Sequence, residues 1–285
     1  MSLRVVVLSQ ETPYGMRLLR ALKERGIVPD ALVVYAGLDI NDCFHSPKGR
    51  KRLREAPRAL VRWQWRRLRF RLKRKPIYTP YARQIIPSGS LGSARIVRDL
   101  QRLQPDILVL GASHIISQDI IDTARLGVLN SHPGVLPWVR GLGSAGRSLM
   151  AGVPIGASCH LVDSRIDTGA VIERRLLPIE VPTLLGQLEK ENSQLTANLL
   201  ADVVARTVAL GALPESTRQE TRFPLGHRET PEERQAFSQL AQTGRPRELF
   251  ELWNPLCLNH DTWALPSQSF TPPQPPNLTP LDVTW

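Results

Sequence analysis

Asn130 and His132 stand one residue apart in the stretch NSHPGVLPWVRG, and Pro133 follows at once. A carboxamide beside an imidazole can stabilise negative charge on an oxygen. Preorganised donors of that kind are worth roughly 10²–10³ in rate each. The imidazole can also exchange a proton near neutral pH. Taken alone the pair is weak, because a histidine at a strand end is more often a hydrogen-bonded core or surface residue. A second stretch, CHLVDSRIDTGAVI, lies further along. Its Asp163 and Asp167 bracket a tight loop closed by Gly169. A carboxylate placed near an imidazole raises its pKa and orients it. Asp and Gly are also ordinary turn formers. That accounts for the loop's composition but not for an acid on each side of it.

The elements that must hold these residues read as alternating strands and helices. LRVVVL is a largely apolar run suited to a buried parallel strand. YGMRLLRALKERG follows with Leu18, Leu19 and Leu22 on one helical face and Gly26 as its cap. PDALVVYA, PDILVLGAS and GVLNSHPG read as further strands, with SARIVRDLQRLQ as a helix before the second of them. SAGRSLMAG is a short helix, PIGASCHLVD and GAVIERRLL are two strands joined by SRIDT, and a long helix runs from about Thr183 to Leu210. Such alternation predicts an α/β fold with a mostly parallel sheet, in which ligands sit beyond the carboxyl ends of strands. Both NSHP and DSRIDTG fall at such ends. Alternation along a strand puts Asn130 and His132 on the same side, and Pro133 keeps His132 extended. No G-x-G-x-x-G joins the first strand to its helix, so a dinucleotide fingerprint is absent.

Composition narrows the class. Apolar residues make up 42% of 285, enough for a sizeable core and unlike a disordered chain. No apolar run reaches the ~18 residues a membrane helix needs, and MSLRVVVLSQ lacks the features of a signal peptide. The three cysteines, Cys43, Cys159 and Cys257, are odd in number and widely spaced. They indicate neither a disulfide framework nor a zinc site, and a reducing cytoplasm is the expected compartment. The net charge of +11 comes from one place. Residues 48–75 hold 14 Lys or Arg against one acid, while the remainder carries 23 basic and 25 acidic residues. From Pro57 onward this segment, an insertion of about 47–76, can form a basic amphipathic helix. Val61, Trp65, Leu68 and Leu72 make its apolar stripe, and Arg62, Arg66, Arg69 and Lys73 run alongside. Three readings stand open: a helix packed on the domain, contact with an anionic membrane surface or lipid-linked substrate at the inner face of the membrane, or contact with nucleic acid or another anion.

After residue 210 the character changes. TPEERQAFSQLAQTG reads as a helix of about 231–243. Thr230 and Glu233 form a capping-box pattern, Pro231 takes the first helical position, and Gly244 closes it. Residues 266–280 contain six prolines and predict an extended tail. The expected organisation is a catalytic domain over 1–210 and a short helical, Pro-rich C-terminal extension over 211–285.

Taken together, the two stretches resemble the folate-dependent formyltransferase family, whose pattern is N-x-H-P-x-x-L-P followed by H-x-x-D-x-x-x-D-x-G. Here these read Asn130-Ser131-His132-Pro133-Gly134-Val135-Leu136-Pro137 and His160-Leu161-Val162-Asp163-Ser164-Arg165-Ile166-Asp167-Thr168-Gly169. Ser131 stands where the family usually carries an apolar residue. The resemblance covers roughly residues 1–210 and implies a Rossmann-like formyltransferase fold. It implies a catalytic triad of Asn130, His132 and Asp167, with 10-formyltetrahydrofolate as formyl donor and a primary amine as acceptor. His132, protonated with help from Asp167, and Asn130 would then stabilise the oxyanion, with His160 structural. The pterin would be held largely by backbone at Gly111, Ala112, Ser113, His114, Ile115 and Ile116 and at Val162 and Asp163. Trp138, Arg140 and Gly141 would shape the mouth where the amine enters. The leading expectation is an N-formyltransferase acting on an amino sugar or other small amine. A methionyl-tRNA formyltransferase-like enzyme, a formyltetrahydrofolate hydrolase and a non-catalytic membrane-associated protein of the same fold are the alternatives.

Overall fold

A computed structural model describes residues 3–35, 75–88, 91–112, 115–219, 223 and 225–257. Apart from Lys75 at its end, the basic segment 48–75 lies outside the described residues, as do Ser113, His114 and the Pro-rich stretch 266–280.

Seven strands form one sheet in the order β3-β2-β1-β4-β5-β7-β8. Strand β1 (Val5–Ser9) is buried throughout and pairs in parallel with β2 (Ala31–Val34) and β4 (Ile107–Leu110), both also fully buried. This accounts for their reading as continuous apolar runs rather than alternating ones. Helix α1 (Pro13–Glu24) starts where Thr12 accepts a bond from the Gly15 amide at 3.1 Å, with Pro13 in the first turn. It buries Leu18, Leu19, Ala21 and Leu22. The expected cap is one residue off: Arg25 caps, and Gly26 follows at φ +73°. A short helix α2 (Lys75–Tyr78) and a 3₁₀ turn (Thr79–Tyr81) lead into β3 (Gln84–Pro87). That edge strand escapes a sequence reading because it is short, half-exposed and ends in proline. Helix α3 (Ala94–Leu103) buries Ile96 and Leu100, and the small helix α4 (Gln118–Ile121) precedes β5 (Gly127–His132).

The chain divides into two compact units: residues 1–129 with 204–213, and residues 130–203 with 214 onward. Every residue of the expected triad belongs to the second. In that unit β6 (Arg140–Gly141) leads through Gly143, at φ +71°, into α5 (Ser144–Ala151). Strands β7 (Gly156–Leu161) and β8 (Val171–Leu176) form an antiparallel pair, and α6 (Leu185–Leu210), whose residues up to 203 belong to this unit, follows. A two-residue strand β9 (Leu225–Gly226) pairs in parallel with β6. Helix α7 (Pro231–Ala241) carries the expected capping box between Thr230 and Glu233, and α8 (Arg245–Cys257) comes last. Neither β6 nor β9 was legible, since each two-residue strand takes its form from its partner, and α8 is a second helix where the sequence reading expected one.

Described residues beyond 213 contribute to the core of this unit. Phe237, Ala241 and Leu249 share a core with Ala145, Leu149, Ile155 and Leu188. Trp253 joins Val135, Val139, Val153 and Leu176 in a second cluster. The closeness of α5 and α7 depends on Gly146, where a Cβ would sit 2.1 Å from the Phe237 ring. No described helix is long and apolar enough to cross a membrane.

Candidate active site

The end of β5 carries Asn130 and His132 at half-buried and buried positions, with Ser131 buried between them. The expected alternation is realised, since both flanking side chains reach one group of neighbours. His132 Nδ1 lies 3.4 Å from Asp167 Oδ2. His160 Nε2 lies 3.8 Å from Asp167 Oδ1 and 3.2 Å from Asn130 Nδ2. Asp167 thus sits between two imidazoles, and the three residues proposed from the sequence come together with His160 as a fourth.

Hydrogen-bond chemistry fixes both rings. A backbone carbonyl only accepts, so His132 Nε2 must donate to Val139 O, 3.0 Å away. The nitrogen left to exchange a proton is Nδ1, the one that faces Asp167. Ser144 Oγ, at the start of α5, lies 3.4 Å from His132 Nε2 and also donates to Gly141 O. By the same reasoning His160 Nδ1 donates to Leu161 O at 2.7 Å. In its neutral form His160 Nε2 carries a lone pair, and Asn130 Nδ2 donates into it. The carboxamide's orientation is set in this way, and one of its two amide hydrogens remains.

The electrostatics differ from the sequence expectation in one respect. Asp167 does favour a charged His132, but burial weighs more. It holds the His132 pKa below its ordinary 6.5, with the charge of Arg140 adding in the same direction. Burial lowers His160 likewise. An imidazole with no water around it loses more hydration energy on charging than one carboxylate 3.4 Å away returns. Burial thus favours the neutral ring at rest, against the pull of Asp167.

Loop geometry places Asp167. Asp163 Oδ1 accepts from the Arg165 amide at 3.1 Å and from Thr168 Oγ1 at 2.6 Å, which ties the turn together from inside. Gly169 closes it against β7, where a Cβ would stand 1.8 Å from Leu161 O. Asp167 itself sits at φ +53°, and its Oδ2 accepts from the Gly141 amide at 3.0 Å. Of the residues expected at the amine's entrance, Gly141 thus grips the carboxylate. Arg140 donates to Ile166 O at 2.7 Å and Phe223 O at 3.1 Å. Trp138 packs edge-on against Trp253 at 5.2 Å and against Phe223 at 6.3 Å. In this structure all three support the loop and its surroundings.

Other supports had no local signal in the sequence. Ser158 Oγ donates to Gly134 O and accepts from the Leu136 amide, at 2.8 and 2.9 Å. Asn192 Nδ2 donates to Pro133 O and Gly156 O, each at 3.0 Å. Together they pin the turn that follows His132. Among the residues expected to hold a pterin, Gly111 and Ala112 follow β4 in the first unit, where Ile115 is exposed and Ile116 buried. Val162 and Asp163 belong to the Asp167 loop of the second unit. No group of three metal-ligating side chains occurs among the described residues.

Residues 3–204 match the family model described as formyl transferase. A methionyl-tRNA formyltransferase of Syntrophomonas wolfei is 27% identical over 149 residues, 52% of this chain and 48% of that protein. Another from Roseobacter denitrificans is 34% identical over 128 residues, 44% of this chain and 42% of that protein. The chain therefore spans about half the length of the curated relatives it matches. A solved sugar N-formyltransferase from Shewanella aligns over 83% of this chain and 87% of its own, at 15% identity and TM-score 0.52. A 4-N formyltransferase from Francisella tularensis aligns over 85% and 89%, at 14% identity and TM-score 0.53. At those identities the solved structures speak to the fold alone. The family match runs through β5, the Asp167 loop and most of α6, and on that ground the chain belongs to the formyl transferase family.

Proposed function

We propose that the chain transfers a formyl group from 10-formyltetrahydrofolate to the amine of an amino sugar or another small primary amine. The observation that carries this reading is the convergence of Asn130, His132 and Asp167 in one unit, with His132 Nδ1 facing Asp167 Oδ2 at 3.4 Å. The residues present fit a formyl donor: one hydrogen of Asn130 remains after His160 has taken the other. That hydrogen suits an oxygen acquiring negative charge. When bound, the formylated folate supplies an electrophilic carbonyl carbon, and backbone of the loop from Val162 to Asp167 is proposed to hold part of it.

The remaining work belongs to the chain's own groups. An amine attacks only as the free base and must shed a proton as it becomes an amide. Neutral His132 Nδ1 and the Asp167 carboxylate form a paired acceptor for that proton, with the ring held in place by Val139 O. A proton gained at Nδ1 is stabilised by the carboxylate, so the ion pair absent at rest forms as the reaction needs it. A sugar N-formyltransferase of the same fold aligns along 83% of this chain and 87% of its own, and an amino sugar is the acceptor proposed on that fold-level likeness.

The test incubates purified protein with 10-formyltetrahydrofolate and, in separate arms, nucleotide-linked amino sugars, charged initiator methionyl-tRNA, and no amine. Tetrahydrofolate release and acceptor mass are followed. The expected result is release that depends on an amino sugar and falls by roughly 10²–10⁴ in His132→Ala. Undiminished turnover in that variant would remove the mechanism. Equal release without any amine would make the protein a hydrolase.

A further inference from the structure

Asp167 holds a left-handed backbone conformation, φ +53°, which aspartate adopts more readily than most residues with a Cβ and which its neighbours here hold in place. Its side chain is tied to the Gly141 amide, but that bond does not fix the peptide units on either side of the loop. Those are fixed from elsewhere. The segment after α6 returns to the loop at Thr217, which exchanges two backbone bonds with Val171 at 2.7 and 2.8 Å. Two residues on, Gln219 Nε2 donates to Asp167 O at 3.2 Å and to Gly169 O at 2.5 Å. An amide nitrogen has two hydrogens, and here each meets a carbonyl of the loop. Phe223 O then accepts from Arg140, whose other terminal nitrogen bonds Ile166 O. Gly226 O accepts from the Leu142 amide, and β9 pairs with β6. The carbonyls of Ile166, Asp167 and Gly169 are all held from outside the loop. Two of the three are held by one side chain beyond residue 204, where the family match ends.

We infer that Gln219 is a positioning residue for the transfer reaction: its carboxamide clamps the carbonyls of Asp167 and Gly169 and so fixes where the Asp167 carboxylate points. This rests on the reading of Asp167 as a proton-accepting partner of His132. It makes Thr217 and Gln219 part of the working site's support, although both lie outside the segment that identifies the family. Gln219 acts through Asp167 and touches none of the reacting atoms.

The experiment compares wild type, Gln219→Met, Asp167→Asn and the double variant. Met keeps the length and neutrality of Gln and removes the donors. Turnover is measured with 10-formyltetrahydrofolate and a UDP-linked amino sugar, folding by thermal melting, and the imidazole titration of His132 by NMR without any ligand. The expected result is a fall in kcat of about tenfold to a hundredfold, the scale of a misplaced catalytic group. The donor KM should change less than kcat, because the clamped carbonyls of Asp167 and Gly169 lie at the far end of the loop from Val162. His132 should titrate at lower pH, since the carboxylate that opposes burial has moved. In the Asp167→Asn background, adding Gln219→Met should cost nothing further, because both act through one group. Wild-type kcat and an unchanged titration in Gln219→Met, with Asp167→Asn inactive, would end the positioning role and leave the site intact. Full activity in Asp167→Asn would remove the reading beneath it. Gln219→Asn, which keeps the amide but not its reach, gives the same expected loss and serves if Met disturbs folding.

Discussion

Ser131, between the two residues that carry the chemistry, shows how far single positions could be read. Its neighbours Asn130 and His132 were legible because a pair of distinctive types recurs with Asp167 in a recognisable order. Ser131 was legible only as a departure, a hydroxyl where an apolar side chain is usual. In the fold it is 3% exposed, and its Oγ has no hydrogen-bond partner among the described residues. A buried hydroxyl without a partner costs about 1–3 kcal/mol. Alternation turns it away from the face shared by Asn130 and His132. Ser131→Ala is therefore expected to raise stability by ~1 kcal/mol, or about 2–4 °C in melting temperature for a chain of this size, with turnover unchanged. Calorimetry decides it: a drop of several degrees would show that the hydroxyl is bonded after all. The protonation state of His132 was not legible at this scale. Sequence places Asp167 near the ring, but the burial that outweighs it is a property of the packed unit.

Elements were legible where they carry their own pattern. The apolar runs of β1, β2 and β4, the amphipathic face of α1 and the capping box of α7 follow from local spacing and local hydrogen bonds. β6, β9 and the pairing of Thr217 and Gln219 with the Asp167 loop are defined by what they bond to, and no periodicity announces them. The loop from Asp163 to Gly169 lies between these cases. Its turn chemistry is written in the sequence, yet the need for glycine at 169 comes from the neighbouring strand. A Cβ there would meet Leu161 O at 1.8 Å and Leu161 C at 2.7 Å, backbone that a side-chain rotation cannot move aside. Leu161 N also donates to Ala170 O, so a shift of the loop propagates into β7. Gly169→Ala is expected to displace Asp167 from His132 and to lower kcat by about a hundredfold, the cost of roughly 1 Å of misplacement. The unit's core clusters remain intact, so the protein should still fold. Steady-state kinetics beside a thermal melt checks this, and a variant with full kcat would show that the loop relaxes without moving the carboxylate.

At the scale of the whole molecule, the sequence revealed an α/β chain whose positive charge is concentrated in one segment, but not how its stability responds to acid. That response follows from two histidines folded into one unit. Burial holds His132 and His160 below 6.5, and it is the largest influence on each. In the unfolded chain both titrate near the ordinary value. As pH falls below about 6.5, the unfolded chain takes up protons that the folded protein refuses, and stability falls with pH wherever the unfolded state binds more protons. The contribution is fully present above about 6.5 and is lost as pH drops from there towards the lowered folded values. Asp106, whose pKa is lowered from 3.8 by its bonds to Arg4 and Arg125, adds a loss of the same sign only in stronger acid. The interval from pH 7 to pH 5 therefore isolates the histidines. Urea unfolding across it should give a free energy that declines steadily below pH 6.5 and is flat for these groups above pH 7. The double variant His132→Gln, His160→Gln should lose most of that slope, whatever its absolute stability. A protein that grew more stable on acidification would mean that both rings fold as cations paired with Asp167. The neutral His132 that receives the amine's proton would then have to be replaced by a charged one that donates.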